Sequence, residues 1–274
     1  MSLIGHKQGL QLLTKLLSPP YQRRSLGLVA PEGVGRYHCL QTAFQLANPT
    51  LTTQDLLLDT RVAPENPSVD TLRELIAWSD LAPYKAPCKL LIVPGDSLSK
   101  DSQQVLLKLL EDIPPRVVLC IVLTSLNISD TLVSRILPVY LYTVSRNEAE
   151  AIWTSQGISS SVFKQFWELA PGQPGVSMKR FSLKYPQLEK SLVKFFETPS
   201  AIGMLQWQDQ IAQWPSGDIH AFWEWVLPNL YRSVGFARPE NAKFISLVSE
   251  GISFHKQASL LMLVPALAFE AYGN

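Results

Sequence analysis

Apolar residues in the first half of the chain fall into short runs of two kinds, and the two kinds alternate. Leu10, Leu12, Leu13, Leu16 and Leu17 recur at helical spacing until Ser18-Pro19-Pro20 stops them, which predicts an opening helix over residues 3–17. Residues 25–30 form a compact apolar segment of strand type, and residues 36–46 return to helical periodicity before Asn48-Pro49. Further strands are expected at 55–60, 88–93, 116–124 and 139–142, with helices at 69–81 behind a Ser68 cap, at 99–110, and as a single turn over 130–135. Strands separated by helices imply a parallel sheet covered on both faces.

Beyond Val144 the strand signal ends. Residues 148–156, 160–169, 176–185 and 188–196 read as helices between Pro and Gly breaks, and after Pro199 helical periodicity continues at 206–214, 220–234, 242–254 and 255–272. The expected organisation is an α/β domain over 1–143, a small helical domain over 144–198 and an all-α domain over 199–274.

Composition narrows the function classes. A hydrophobic fraction of 46% with 17% charged residues belongs to a folded chain, and a net charge of +1 from 24 basic and 23 acidic residues supplies no global field toward nucleic acid or an anionic membrane. The first residues lack a basic segment followed by an apolar run, and the apolar stretch 260–268 is broken by Pro265, far short of the ~20 residues that span a bilayer. A cytoplasmic protein with no membrane partner is expected. Cys39, Cys88 and Cys120 are too far apart for a metal knuckle and read as buried free thiols, and the four histidines have no ligand-spaced partner.

The chemistry concentrates in residues 28–37, Leu-Val-Ala-Pro-Glu-Gly-Val-Gly-Arg-Tyr. A strand, a glycine loop and a helix start in this order form a phosphate-binding P-loop, in which backbone N–H groups wrap the phosphates, a lysine reaches the outer ones and a hydroxyl residue holds magnesium. Here Gly33, Val34 and Gly35 keep the turn, but Ala30 replaces the first glycine, Arg36 the lysine and Tyr37 the hydroxyl residue. Asp96 stands alone after the buried strand where an ATPase needs a pair of acids for magnesium and water.

Further motifs follow in order. Residues 103–115, Gln-Gln-Val-Leu-Leu-Lys-Leu-Leu-Glu-Asp-Ile-Pro-Pro, resemble the bacterial clamp-loader signature N-A-L-L-K-x-L-E-E-P-P. Thr124-Ser125 stands where that family carries its first sensor, and Thr131-Leu-Val-Ser-Arg135 resembles its T-x-x-S-R-C motif with Ile136 in place of the cysteine. Val69 to Leu75 resembles the V-D-x-x-R-E helix, and Gly172-Gln-Pro-Gly175 the G-S-P-G turn of the lid. The chain thus resembles the clamp-loader subunits of bacterial DNA polymerase III, nearest to the delta-prime members, whose own nucleotide site is often defective.

That resemblance implies an AAA+ P-loop ATPase-type sheet domain, a helical lid and a helical collar. It implies that Ser134-Arg135 presents a trans arginine finger to a neighbouring subunit's ATP, a role suited to a fixed, always-charged guanidinium. Taken alone, Arg135 is equally well read as a surface arginine capping a helix C-terminus. The resemblance further implies other clamp-loader subunits as partners, both ATPase motor subunits and a delta-like subunit, together with a sliding clamp and primer-template DNA. Arg73 and Lys100 become candidate contacts to the DNA backbone. No cofactor of its own is expected, ATP and magnesium being held by the neighbour; no metal is expected either, since residues 44–59 lack the four cysteines of the family's zinc module. The expected function is a non-hydrolysing stator in clamp loading during DNA replication. Two alternatives stand beside it: a subunit that binds and hydrolyses ATP with Arg36 in place of lysine, and an AAA+-derived scaffold of another complex.

Overall fold

The computed structural model describes residues 5–19, 25–155, 157–197, 209–210, 214, 216–233, 242–243, 246 and 248. Two compact units divide the chain, residues 1–178 and 179–274. In the first, α1 (Lys7–Leu17) precedes β1 (Ser25–Val29), α2 (Arg36–Ala47), α3 (Thr53–Leu58), β2 (Thr60–Val62) and α4 (Val69–Asp80). Then come β3 (Lys89–Pro94), α5 (Lys100–Glu111), β4 (Val117–Leu123), α6 (Asp130–Val133), β5 (Leu137–Tyr140), α7 (Arg146–Ser155) and α8 (Ser160–Leu169), and α9 (Pro174–Ser182) runs across the boundary at residue 178.

The five strands pair in parallel in the order β2-β3-β4-β1-β5. Side chains of the central strands β1, β3 and β4 alternate between two apolar layers, as strands buried on both faces require, while the edge strands β2 and β5 leave Val62 and Tyr140 exposed. Leu26, Leu28, Leu90, Ile92, Val118 and Cys120 face one layer with Leu13 and Leu17 of α1 and Leu40 and Phe44 of α2. Leu91, Val93, Leu119, Ile121 and Leu123 face the other, with Leu72 of α4, Leu106 and Leu109 of α5 and Leu132 of α6. The three cysteines are buried free thiols, and burial pushes Cys39 up to about 11 and Cys120 up to about 12.

Two expected strands differ. Residues 55–60 are not a strand: α3 occupies Thr53–Leu58, and the strand is confined to Thr60–Val62. The cause is a capping box, in which Asp55 N–H donates to Thr52 Oγ1 and Thr52 N–H donates to Asp55 Oδ2, each at 3.2 Å. The last strand lies at Leu137–Tyr140 rather than 139–142, because Leu137 already pairs with Leu26 of β1.

In the second unit, α10 (Tyr185–Glu197) packs with α11 (Ser216–Ser233). Tyr185 is the centre of this contact: its ring meets Phe222 edge-on at 4.9 Å and stacks with Trp214 at 5.6 Å, while its hydroxyl donates to the Asp218 carbonyl at 3.1 Å. The helices expected at 206–214, 242–254 and 255–272 fall wholly or mostly outside the described residues. Among the described residues no helix is long and apolar enough to cross a membrane.

Candidate functional site

β1 lies between β4 and β5, so the loop that follows it opens at the carboxyl edge of the sheet, beside the segments leaving β3 and β4. Open parallel sheets place their ligands at such an edge. Gly33 and Gly35 take left-handed φ values of 73° and 90°, which glycine adopts without steric cost, and α2 begins directly after them. Val34 is buried, and its carbonyl accepts the Nε2–H of His6 at 2.9 Å. The loop therefore turns on two left-handed glycines directly before α2 and is anchored by a histidine to which the sequence pattern assigned no role.

Its functional side chains are already engaged. Arg36 is nearly buried, with 12% of its side chain exposed, and its Nη1 pairs with Asp96 Oδ2 at 3.3 Å. The other oxygen of Asp96 accepts from the Thr124 N–H at 2.7 Å and the Thr124 hydroxyl at 2.9 Å. Three elements thus converge: the lysine position of the loop, the lone acid after β3 and the sensor-like threonine after β4. Ser125 beside it is exposed. Tyr37 packs part-buried against the α1–α2 layer, and burial raises its hydroxyl pKa, opposed by the nearby Arg36 charge.

A fourth segment closes over the loop. The Gly175 N–H donates to the Gly33 carbonyl at 2.8 Å, and a Cβ on Gly33 would lie 2.5 Å from the Val176 backbone nitrogen. Behind it, the Val144 N–H donates to the Gly172 carbonyl at 3.0 Å. The Gly172–Gly175 turn is therefore seated between the loop and the segment leaving β5. Its glycines are visible in the sequence; the contact they make is not.

Ser134 and Arg135 end the turn of α6. Ser134 Oγ donates to the Thr131 carbonyl at 3.0 Å, and Arg135 Nη1 donates to the same carbonyl at 3.1 Å. Arg135 Nη2 meets Glu111 Oε1 at 3.1 Å, with 35% of the arginine side chain and 59% of the glutamate side chain exposed. Glu111 belongs to the 103–115 signature, yet no pattern marks it as a partner of Arg135. Arg73 pairs along its own helix with Asp70 at 3.0 Å, and Lys100 is exposed at the start of α5. Among the described residues neither bonds to the loop or to Arg135.

No protein-family model matches this chain, and no curated protein does. A solved structure of a DNA polymerase III gamma-subunit-related protein from Thermotoga maritima overlays it with a TM-score of 0.54 at 15% identity, covering 96% of this chain and 99% of that one. RuvB of Thermotoga maritima, in a variant form, overlays with a TM-score of 0.44 at 14% identity over 64% of this chain and 60% of its own. The DNA clamp loader delta protein of Bacillus subtilis gives 0.37 at 12% identity over 96% and 87%. These last two scores are too low to add weight. Sheet order and the first overlay define the architecture: a mixed α/β fold with a five-stranded parallel sheet, shared with the gamma-subunit-related protein.

Proposed function

We propose that this chain is a clamp-loader subunit of the delta-prime kind, built from an AAA+ sheet domain, a lid and a helical collar, which acts as a stator. In this reading it assembles in the cytoplasm with ATPase motor subunits and a delta-like subunit, and the assembly opens a sliding clamp and places it on primer-template DNA. Arg135 completes a neighbour's ATP site in trans, and this chain's own loop turns over no nucleotide.

The observation that carries the reading is the pairing of Arg36 with Asp96. A catalytic loop needs a free cation for the outer phosphates and a free acid for magnesium, and here each is spent on the other. Thr124 is likewise committed to Asp96, Tyr37 offers a half-buried phenol where a compact metal ligand belongs, and the Gly175 backbone is bonded to the loop. These residues do not fit a magnesium-triphosphate. The ordered motifs and the overlay on a gamma-subunit-related protein support the clamp-loader part of the reading.

Calorimetric titration of the isolated chain with Mg-ATP, paired with co-purification against the motor subunits, tests it. Expected are no binding up to about 1 mM, a free energy weaker than about −4 kcal/mol, and a stable complex with the motor subunits. Micromolar binding with turnover would establish the hydrolysing alternative. Failure to assemble with clamp-loader subunits would leave an AAA+-derived scaffold of some other complex.

A further inference from the structure

Arg135 is fixed at its main chain and steered at its side chain. Its N–H donates to the Leu132 carbonyl at 3.0 Å, and its own carbonyl accepts from Ser25 Oγ at 2.7 Å, which ties the end of α6 to the first residue of β1. The guanidinium uses two of its five donors, on the Thr131 carbonyl and on Glu111. Among the described residues the other three have no partner.

Glu111 is placed against its local field. It is the last residue of α5, where the helix carbonyls disfavour a carboxylate, and Asp112 follows it. An ion pair this exposed contributes at most about 1 kcal/mol to stability, so it is a weak brace for the fold. It suffices, however, to select one orientation of a long side chain that otherwise samples many rotamers.

We propose that Glu111 is a positioning residue for Arg135, holding the guanidinium on the rim between α5 and α6 with its remaining donors presented to the γ-phosphate of a neighbouring subunit's ATP. This rests on the finger reading above. In the neighbour's reaction water adds to the γ-phosphorus while the bond to the β–γ bridging oxygen breaks, yielding ADP, inorganic phosphate and a proton to solvent. Neither Glu111 nor Arg135 exchanges a bond or a proton. Arg135 stabilises charge on the transferring phosphoryl group, so its orientation matters more in the transition state than in the ground state. The signature of lost positioning is therefore a lower kcat with KM for ATP little changed.

The test is ATP turnover by the assembled complex, normalised to the amount of complex recovered by size exclusion. Glu111→Ala is expected to lower kcat by up to about fivefold with KM within about twofold, the most that an orienting pair worth about 1 kcal/mol can supply. Glu111→Gln keeps an acceptor at the same reach and should return kcat to within about 1.5-fold of the parent. Combining Glu111→Ala with Arg135→Ala should be no slower than Arg135→Ala alone, because the glutamate acts only through the arginine. If Glu111→Ala reduces assembly, Glu111→Asp, one methylene short of the guanidinium, takes its place with the same expected loss. Parent-like turnover for Glu111→Ala in a complex that Arg135→Ala does slow, or additive losses in the double variant, overturns this inference alone. An Arg135→Ala complex as fast as the parent overturns the finger reading itself.

Discussion

Two arginines of this chain each meet one carboxylate at nearly the same distance, Arg36 with Asp96 at 3.3 Å and Arg135 with Glu111 at 3.1 Å, yet their surroundings set them apart. Arg36 has only 12% of its side chain exposed, whereas Asp96 is 39% exposed with its second oxygen held by Thr124, so parting the pair leaves mainly the arginine short of water. Arg135 and Glu111 are both more than a third exposed, where water screens the attraction. On the proposed reading a triphosphate competes for Arg135 at less cost than for Arg36, the two arginines differing in burial rather than in residue type or pairing distance.

The hardest test of this contrast is a pair of substitutions in the assembled complex. Arg135→Ala is expected to slow ATP turnover ~10³-fold, the lower end of what trans arginines supply. Arg36→Ala should leave turnover within about threefold, its effect appearing instead as a lowered denaturation midpoint of the isolated chain. Equal losses of turnover, or a larger loss for Arg36→Ala, break the comparison by returning a catalytic role to the loop.

The loop itself can be probed through its glycines. Both Gly33 and Gly35 have left-handed φ, but only Gly33 lacks space: a Cβ there would press on the Val176 backbone nitrogen at 2.5 Å, whereas at Gly35 it meets nothing within 4 Å. Gly35→Ala is thus expected to cost about 1–2 kcal/mol, from backbone strain alone. Gly33→Ala adds a steric term and should cost about 2–4 kcal/mol. Urea denaturation of the two variants reads the difference. Equal costs would mean that the 172–176 segment does not rest on the loop.

What the sequence reveals and conceals follows from the range of each interaction. The alternation of strands and helices, the Gly33–Gly35 turn and the Ser134-Arg135 ending of α6 depend on neighbours within a few residues, and all are legible as pattern. Residues 55–60 resemble a strand because Leu56, Leu57 and Leu58 carry no helical periodicity; a side-chain cap between Thr52 and Asp55 decides for helix. The site's state was less accessible still. Arg36 and Asp96 are sixty positions apart, and Gly33 and Gly175 lie farther apart than that. Arg36 is legible as a changed lysine and Asp96 as a lone acid, but that each pairs with the other is a tertiary fact. The pairing of Glu111 with Arg135 is hidden for the same reason, although Glu111 lies within the 103–115 motif.

The smallest effect concerns Tyr37, next to Arg36 on α2. Burial raises its hydroxyl pKa above the ordinary value of about 10, so the folded chain holds that proton more tightly than the unfolded chain does. The associated stability is fully present below about pH 10 and is lost as pH rises through the folded-state pKa, because the unfolded chain ionises first. Urea midpoints of the parent and of Tyr37→Phe should therefore run parallel between about pH 7 and 9, and above about pH 10 the parent should fall more steeply. Arg36 opposes the shift, so removing its charge should widen the divergence. Parallel curves through the alkaline range would place the hydroxyl in water, leaving the position after Arg36 open to a metal ion and reviving a nucleotide role for the loop.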